Sequence, residues 1–320
     1  MKTKIILGSR GSDLAMWQSI YVKNEIEKKN KNILVEIKNI KTTGDKILKT
    51  ALSKIGDKGL FTKELETALF DKSIDLAVHS LKDLQTEIPK GLKLSAVTER
   101  HKVEDVLIAG RKGETINSLK EGAIVATGSL RRKAQLLHLR PDFKIVDLRG
   151  NVPTRIKKFL DSDWDAIILA RAGIERLGLK KYISSYIPTS EILPAVAQGA
   201  LGIEINSSNK LVDEILQSIH NEGTFLEVST ERAFLRALEG GCQVPIGAYA
   251  QTRSNGLFLD GFVGSIDGTI SFRKELRGKK QEPDKLGKKV AKDLIKAGAG
   301  AVLGEIYLSS GRAFNNEQKK

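Results

Sequence analysis

The sequence predicts an α/β protein, with two domains on mainly parallel sheets and then a small α+β domain holding a three-stranded antiparallel sheet. Three observations carry this. Short apolar strands alternate with helical patterns over the first hundred residues or so, and the same cycle restarts near residue 100. Several strands, such as Ile74–His79 and Asp165–Ala170, are apolar on both faces, as in a sheet covered by helices. After about residue 220 the pattern changes to one helix and then strands punctuated by Asn255-Gly256 and Asp267-Gly268, both strong hairpin turns.

Taken in order, residues 3–8 read as a strand, and Asp13 can cap a helix carrying Leu14, Trp17, Ile20, Tyr21 and Ile26. Ile33 to Ile40 alternates as a strand does. The glycine- and lysine-rich stretch 42–59 reads as a long mobile loop, followed by a helix with Phe61, Leu65, Ala68 and Leu69 on one side. In the second cycle Val103–Ala109 is extended, Ala123–Thr127 is a strand and Leu130–Leu139 a helix. Lys144–Leu148 is a strand, Val152-Pro153-Thr154 opens a helix, and Ile174–Leu177 is a short one. Glu222–Leu238 is helical; strands 247–251, 257–264 and 269–275 and a last helix over Pro283–Ala297 complete the chain, with a polar tail from Asn315.

Length and composition narrow the function classes. A chain of 320 residues, 40% hydrophobic and 29% charged, suits a soluble protein of about two or three domains. Its single cysteine argues against a disulfide scaffold and for a reducing cytoplasm. The N-terminal apolar run is short and stopped by Gly8 and Arg10, so it reads as a strand and not a signal peptide, and no run is long enough for a membrane span. A formal charge of +14 favours an anionic partner: nucleic acid, an anionic surface, or a substrate rich in carboxylate or phosphate. A lysine-rich skin would give the same total. Aromatics at 5% weaken the case for a base-stacking platform.

Four stretches can carry chemistry. Asp75–Asp83 is a strand ending in polar residues, which places Lys82 and Asp83 at the mouth of a ligand crevice. Asp83 can act as acid, base or stabiliser of a developing cation, or it can be a turn residue. His79 can be a base or a structural strand-end histidine. The histidines show no metal-ligand spacing. In Thr127–Arg132, Ser129 can cap a helix whose first turn holds Arg131 and Arg132, a combination that predicts an anion site. Leu148–Arg155 repeats the arrangement with Arg149 and Arg155, and Arg10 and Arg176 have similar placements. There is no phosphate-binding P-loop and no dinucleotide fingerprint. Finally, Cys242 sits in Gly240-Gly241-Cys242-Gln243-Val244-Pro245, a turn that suits covalent chemistry, although a lone cysteine is also a common core residue.

Together these stretches resemble the hydroxymethylbilane synthase (porphobilinogen deaminase) family of tetrapyrrole biosynthesis. The matching segments are Gly8–Gln18, Gly59–Glu66, His79–Asp83, Gly128–Arg132, Leu148–Arg155, Ala197–Ala200 and Gly240–Gly247, in this order. The resemblance implies two α/β domains like those of type II periplasmic binding proteins, over 1–99 with 200–217 and over 100–199, and an α+β domain over 218–320. It implies one dipyrromethane cofactor per chain, thioether-linked to Cys242. The activity implied is head-to-tail condensation of four porphobilinogens with loss of ammonia, then hydrolysis to hydroxymethylbilane. Asp83 is then the catalytic carboxylate and also touches the cofactor, with Lys82, Thr127, Ser129, Arg131, Arg132 and Gly150. Arg10, Arg149, Arg155, Arg176 and Gln198 match substrate-binding positions, and Lys54 and Lys58 lie in a mobile loop. The family places a small apolar residue and a proline after the aspartate; here Leu84 and Gln85 follow it. The implied enzyme is a cytoplasmic monomer with no metal, nucleic-acid or membrane partner. A non-catalytic anion receptor and a nucleic-acid binder are the rival readings, and the Cys242 and Asp83 segments speak against both.

Overall fold

The first strand, β1 (Thr3–Ser9), turns Ile5 and Leu7 into a core and leaves Thr3 and Lys4 in water. It is part of a computed structural model that describes residues 2–42, 62–239 and 244–309. Cys242, Lys54, Lys58, most of the expected 42–59 loop and the polar tail lie outside the described residues.

Helix α1 (Asp13–Lys29) follows β1. Its cap is Ser12, whose hydroxyl accepts from the Ala15 N–H, and not Asp13 as the sequence suggested. Asp13 instead occupies the first turn, where a carboxylate suits the helix dipole. The first sheet has the order β2 (Ile33–Asn39), β1, β3 (Leu76–Ser80), β10 (Leu201–Asn206), β4 (Leu92–Val97). Helices α2 (Lys63–Phe70) and α6 (Lys210–Gln217) flank it.

The second sheet repeats the plan: β7 (Lys144–Val146), β6 (Ile124–Ala126), β8 (Ala166–Ala170), β5 (Asp105–Ala109), β9 (Ser185–Ile187). Its helices are α3 (Leu130–Leu139), α4 (Val152–Leu160) and α5 (Arg171–Arg176). The strands of each sheet run mainly parallel, as expected, with one reversed strand in each. β1 runs parallel to β2 and β3, but β10 is antiparallel to both its neighbours; in the second sheet β5 is antiparallel to β8 and β9. Both reversed strands are the ones that the chain forms on arriving from the other sheet. A strand buried on both faces reads the same in either direction, so the pattern of apolar residues could not report the reversal.

The C-terminal part packs α7 (Glu222–Ala237) and α8 (Pro283–Leu294) on an antiparallel sheet of β11 (Ile246–Arg253), β12 (Gly256–Gly264) and β13 (Ser271–Gly278). The last helix was expected to run on to Ala297. Instead the chain widens over Ile295–Ala299, where Gly298 takes φ +118°, and resumes as α9 (Gly300–Ser309). One core joins this part to the first sheet: Leu81, Leu84 and Val97 pack in the same cluster as Val228, Phe234 and Leu238 of the α7 region. Glu231 of α7 ties the junction polar-side, accepting from both Arg100 Nη atoms at 2.7 and 3.0 Å and from the Ala197 and Ala250 N–H groups.

Candidate active site

The site starts where β3 ends. Ser80 closes the strand and the chain makes a single 3-10 turn, Leu81–Asp83. Leu81 and Leu84 plug into the core on either side of it, which leaves Lys82 half-buried and Asp83 exposed at the tip. Gln18 of α1 steadies the strand end by donating to the Ser80 hydroxyl at 2.7 Å. The Lys82 ammonium reaches the Gln198 side-chain oxygen at 3.4 Å. Burial lowers the Lys82 pKa to about 8, and the Asp83 charge only partly offsets this.

Across the cleft, two strand ends run into capped helices. Ser129 caps α3, accepting from the Arg132 N–H, and its own N–H is held by the Thr127 hydroxyl at 3.2 Å. Gly128 is needed here, because a Cβ would lie 2.8 Å from the Leu148 carbonyl oxygen. Asn151 caps α4 from the end of the next turn. Gly150, at φ +116°, presents its carbonyl to Arg155 Nε at 2.7 Å.

Two arginines in the first turn of α3 oppose the helix dipole. The structure supplies the reason, and it is a residue that sequence reasoning missed. Asp105, fully buried at the start of β5, accepts from Arg131 Nη2 at 2.8 Å and from Arg132 Nη2 and Nε at 2.7 and 3.0 Å. Gln198 adds a fourth donor at 2.8 Å. Burial would raise the Asp105 pKa, but Arg131 and Arg132 outweigh it and hold the carboxyl well below the usual range. Arg131 and Arg132 also donate to the Leu193 and Ile168 carbonyls. No local pattern marks Asp105, since its partners lie 26 and 27 residues away.

Lys82, Arg132, Arg155, Arg176 and Gln198 line one cleft, with Ser80 and Gly199, and the described lining residues include no carboxylate. Gly199 takes φ +90° and its carbonyl accepts from Arg176 Nη2 at 2.8 Å. Arg176 also lies over the Trp17 ring, 5.6 Å from its centroid. Burial is the main force lowering both Arg155 and Arg176 to about 10. Asp83 stands beside this cleft, close enough for its charge to act on Lys82 and Arg155. The other predicted residues are less central. Arg149 pairs with Asp147 at 3.1 Å, Arg131 sits behind Asp105, and Arg10 leaves β1 half-buried. His79 is buried and paired with Glu204 at 3.1 Å, inside the first sheet and not in the cleft.

The donor set is one that a ligand with several carboxylates would satisfy. Arg176 Nε is buried without a hydrogen-bond partner among the described residues. Arg155 uses only Nε within the described protein, leaving the fork of its guanidinium for a carboxylate.

Comparison with known proteins gives this cleft its context. The family model described as "Porphobilinogen deaminase, dipyromethane cofactor binding domain" matches residues 5–214, and "Porphobilinogen deaminase, C-terminal domain" matches 225–296. The chain belongs to the porphobilinogen deaminase family. Relatives bearing that name include one from Chlorobium phaeobacteroides, 47% identical over 96% of this chain and 99% of the relative. Another, from Carboxydothermus hydrogenoformans, is 48% identical over 96% and 98%. Among solved structures, the methionine binding protein MetQ matches at 12% identity and a TM-score of 0.41, over 72% of this chain and 94% of that one. A TRAP periplasmic solute binding protein from Desulfovibrio salexigens matches at 10% identity and a TM-score of 0.42, over 73% and 76%.

Proposed function

We propose that this cleft performs the family's reaction, condensing porphobilinogen units on a dipyrromethane cofactor in tetrapyrrole biosynthesis, and that Cys242 is the residue holding the cofactor. The observation that carries the reading is the acid-free lining of Lys82, Arg132, Arg155 and Arg176. Each porphobilinogen brings an acetate and a propionate, so a growing chain adds negative charge at every step. When bound, the dipyrromethane supplies the primer pyrrole carbon to which the first incoming unit is joined.

The protein's own groups then divide the work. Arg132, Arg155 and Arg176 bind carboxylates, with Arg132 held by Asp105 so that little ordering remains to be done on binding. Arg131 lends charge from behind. Thr127, Ser129 and Gly150 set the two turns from which these arginines project. Lys82 and Gln198 close the cleft floor, and Arg10 and Arg149 extend the basic surface. Asp83 accepts from pyrrole N–H groups, stabilises the positive charge that develops as ammonia leaves, and takes up the proton released on bond formation. Lys54 and Lys58 are assigned to a loop that meets further carboxylates. The enzyme is taken as a monomer of the cytoplasm; its one cysteine fits a reducing compartment. Among the described residues no helix is long and apolar enough to cross a membrane.

The protein purified from a pyrrole-making host is expected to carry a covalent adduct with the mass of two linked pyrrole units, absent from Cys242→Ala. Intact-mass measurement and a pyrrole colour test check this. An unmodified mass with no colour rules the assignment out.

A further inference from the structure

Helix α7 reaches into the segment that follows Asp83. Arg232, only 4% exposed, donates to the Leu84 carbonyl at 3.1 Å and to the Gln85 carbonyl at 2.5 Å. One turn on, Arg236 donates to the Thr86 carbonyl at 3.3 Å and pairs with Asp284 at 3.1 Å. Three successive carbonyls are thus held by two guanidinium groups from another domain. Burying a guanidinium is unfavourable, and such groups are usually buried against carboxylates. Arg232 has no carboxylate at hydrogen-bond distance among the described residues, so its burial is spent on a stretch of irregular backbone.

That stretch needs outside support. Gln85 N–H has no backbone partner among the described residues, and the turn before it closes on the single Leu84-to-Leu81 bond at 3.3 Å. The apolar contacts point the same way: Leu81 and Leu84 share a core with Val228, Phe234 and Leu238. The other end of α7 leads to the cofactor loop. Its exit is pinned where Tyr307 donates to the Glu239 carbonyl at 2.7 Å, and beyond the undescribed residues Val244 returns to the same core.

We infer that Arg232, supported by Arg236, is a positioning residue for the reaction: it holds the Leu84–Thr86 backbone against α7 and so sets Asp83 relative to the arginines that line the cleft. The inference rests on the function proposed above. It makes α7 a rigid support for the carboxylate that acts on the growing chain. A sub-ångström error in that placement would slow turnover without weakening capture of porphobilinogen, because Arg132, Arg155 and Arg176 project from helices of the second α/β domain.

The test uses adduct-bearing protein, comparing wild type with Arg232→Gln, Arg232→Lys and Arg236→Gln, each alone and with Gln85→Pro. Leu84 has ψ 132°, a conformation that a following proline accepts, so Gln85→Pro stiffens the segment from within. Arg232→Gln is expected to keep the adduct and to lower kcat about 10- to 100-fold with little change in KM. Arg232→Lys and Arg236→Gln fall between it and wild type, and Gln85→Pro restores part of each loss. If Arg232→Gln does not fold, the other two variants carry the test. Wild-type kcat in both arginine positions overturns the inference. So does a kcat loss that merely follows the folded fraction and that Gln85→Pro does not restore. A wild-type protein with neither adduct nor turnover would sink the proposed function itself, which the same assays show separately.

Discussion

The two α/β domains share a strand order, yet they bring opposite chemistry to the cleft between them. In the first, β1 leads through Ser12 into α1, which contributes Gln18 and Leu14 to the lining. In the second, the corresponding β6 leads through Ser129 into α3, which contributes Arg132 with Arg131 behind it. The strand that crosses over carries a buried acid in each case. On β5 it is Asp105, facing two arginines; on β10 it is Glu204, facing His79. One strand order therefore accommodates two arrangements of a buried carboxylate. What differs is whether the buried carboxylate faces the cleft arginines or the interior of its own sheet.

The largest expected effect breaks the second domain's half of this comparison. Asp105→Ala leaves Arg131 and Arg132 buried without their counter-charge, and is expected to lower stability by about 3–5 kcal/mol. Glu204→Gln keeps a polar contact with His79 and is expected to cost about 1 kcal/mol. Urea denaturation of both variants decides the matter. Equal losses would mean that the two carboxylates do the same structural work.

Function should divide along the same line. Asp83→Glu moves an exposed carboxylate by one methylene. It is expected to retain the adduct and lose about 100-fold in kcat, with the folded fraction unchanged. Arg155→Gln removes a carboxylate fork and is expected to act mainly on KM. Steady-state kinetics with porphobilinogen test both. Wild-type turnover in Asp83→Glu removes Asp83 from its role, and an unchanged KM in Arg155→Gln does the same for Arg155.

How much of this could be read from the sequence depended on distance along the chain. Ser129, Arg131 and Arg132 are neighbours, and the Leu130–Leu139 helix was legible to the residue because its cap and its apolar stripe lie within one segment. The strands on either side of the crossings between the sheets were harder. β4, β9 and β10 are short, and nothing in an apolar run shows that it enters a sheet backwards. Asp105 was invisible because one carboxylate before Val106-Leu107-Ile108 looks like any strand start. Its meaning comes from arginines on a helix that folds back over it. Arg232 is the extreme case, donating to a carbonyl 148 residues away. Side chains that serve remote backbone leave no pattern of their own.

The smallest expected effect separates the two halves by proton affinity. Lys82, in the first domain, is lowered by burial from 10.5 to about 8, whereas Arg155 and Arg176 of the second are lowered only to about 10. Below pH 8 Lys82 is charged whether the chain is folded or not, and the full unfavourable burial of its charge is present. Between about 8 and 10.5 the folded protein releases this proton while the unfolded chain keeps it. The unfolded state then binds more protons, so the contribution of Lys82 to stability rises with pH across that window. Adduct-free protein, made as Cys242→Ala, should show this rise in urea denaturation between pH 8 and 9.5, and Cys242→Ala with Lys82→Arg should lack it. A guanidinium at position 82 starts from a pKa about two units higher than an ammonium and stays mostly charged across this window. If the rise persists with arginine at position 82, the titrating group lies elsewhere.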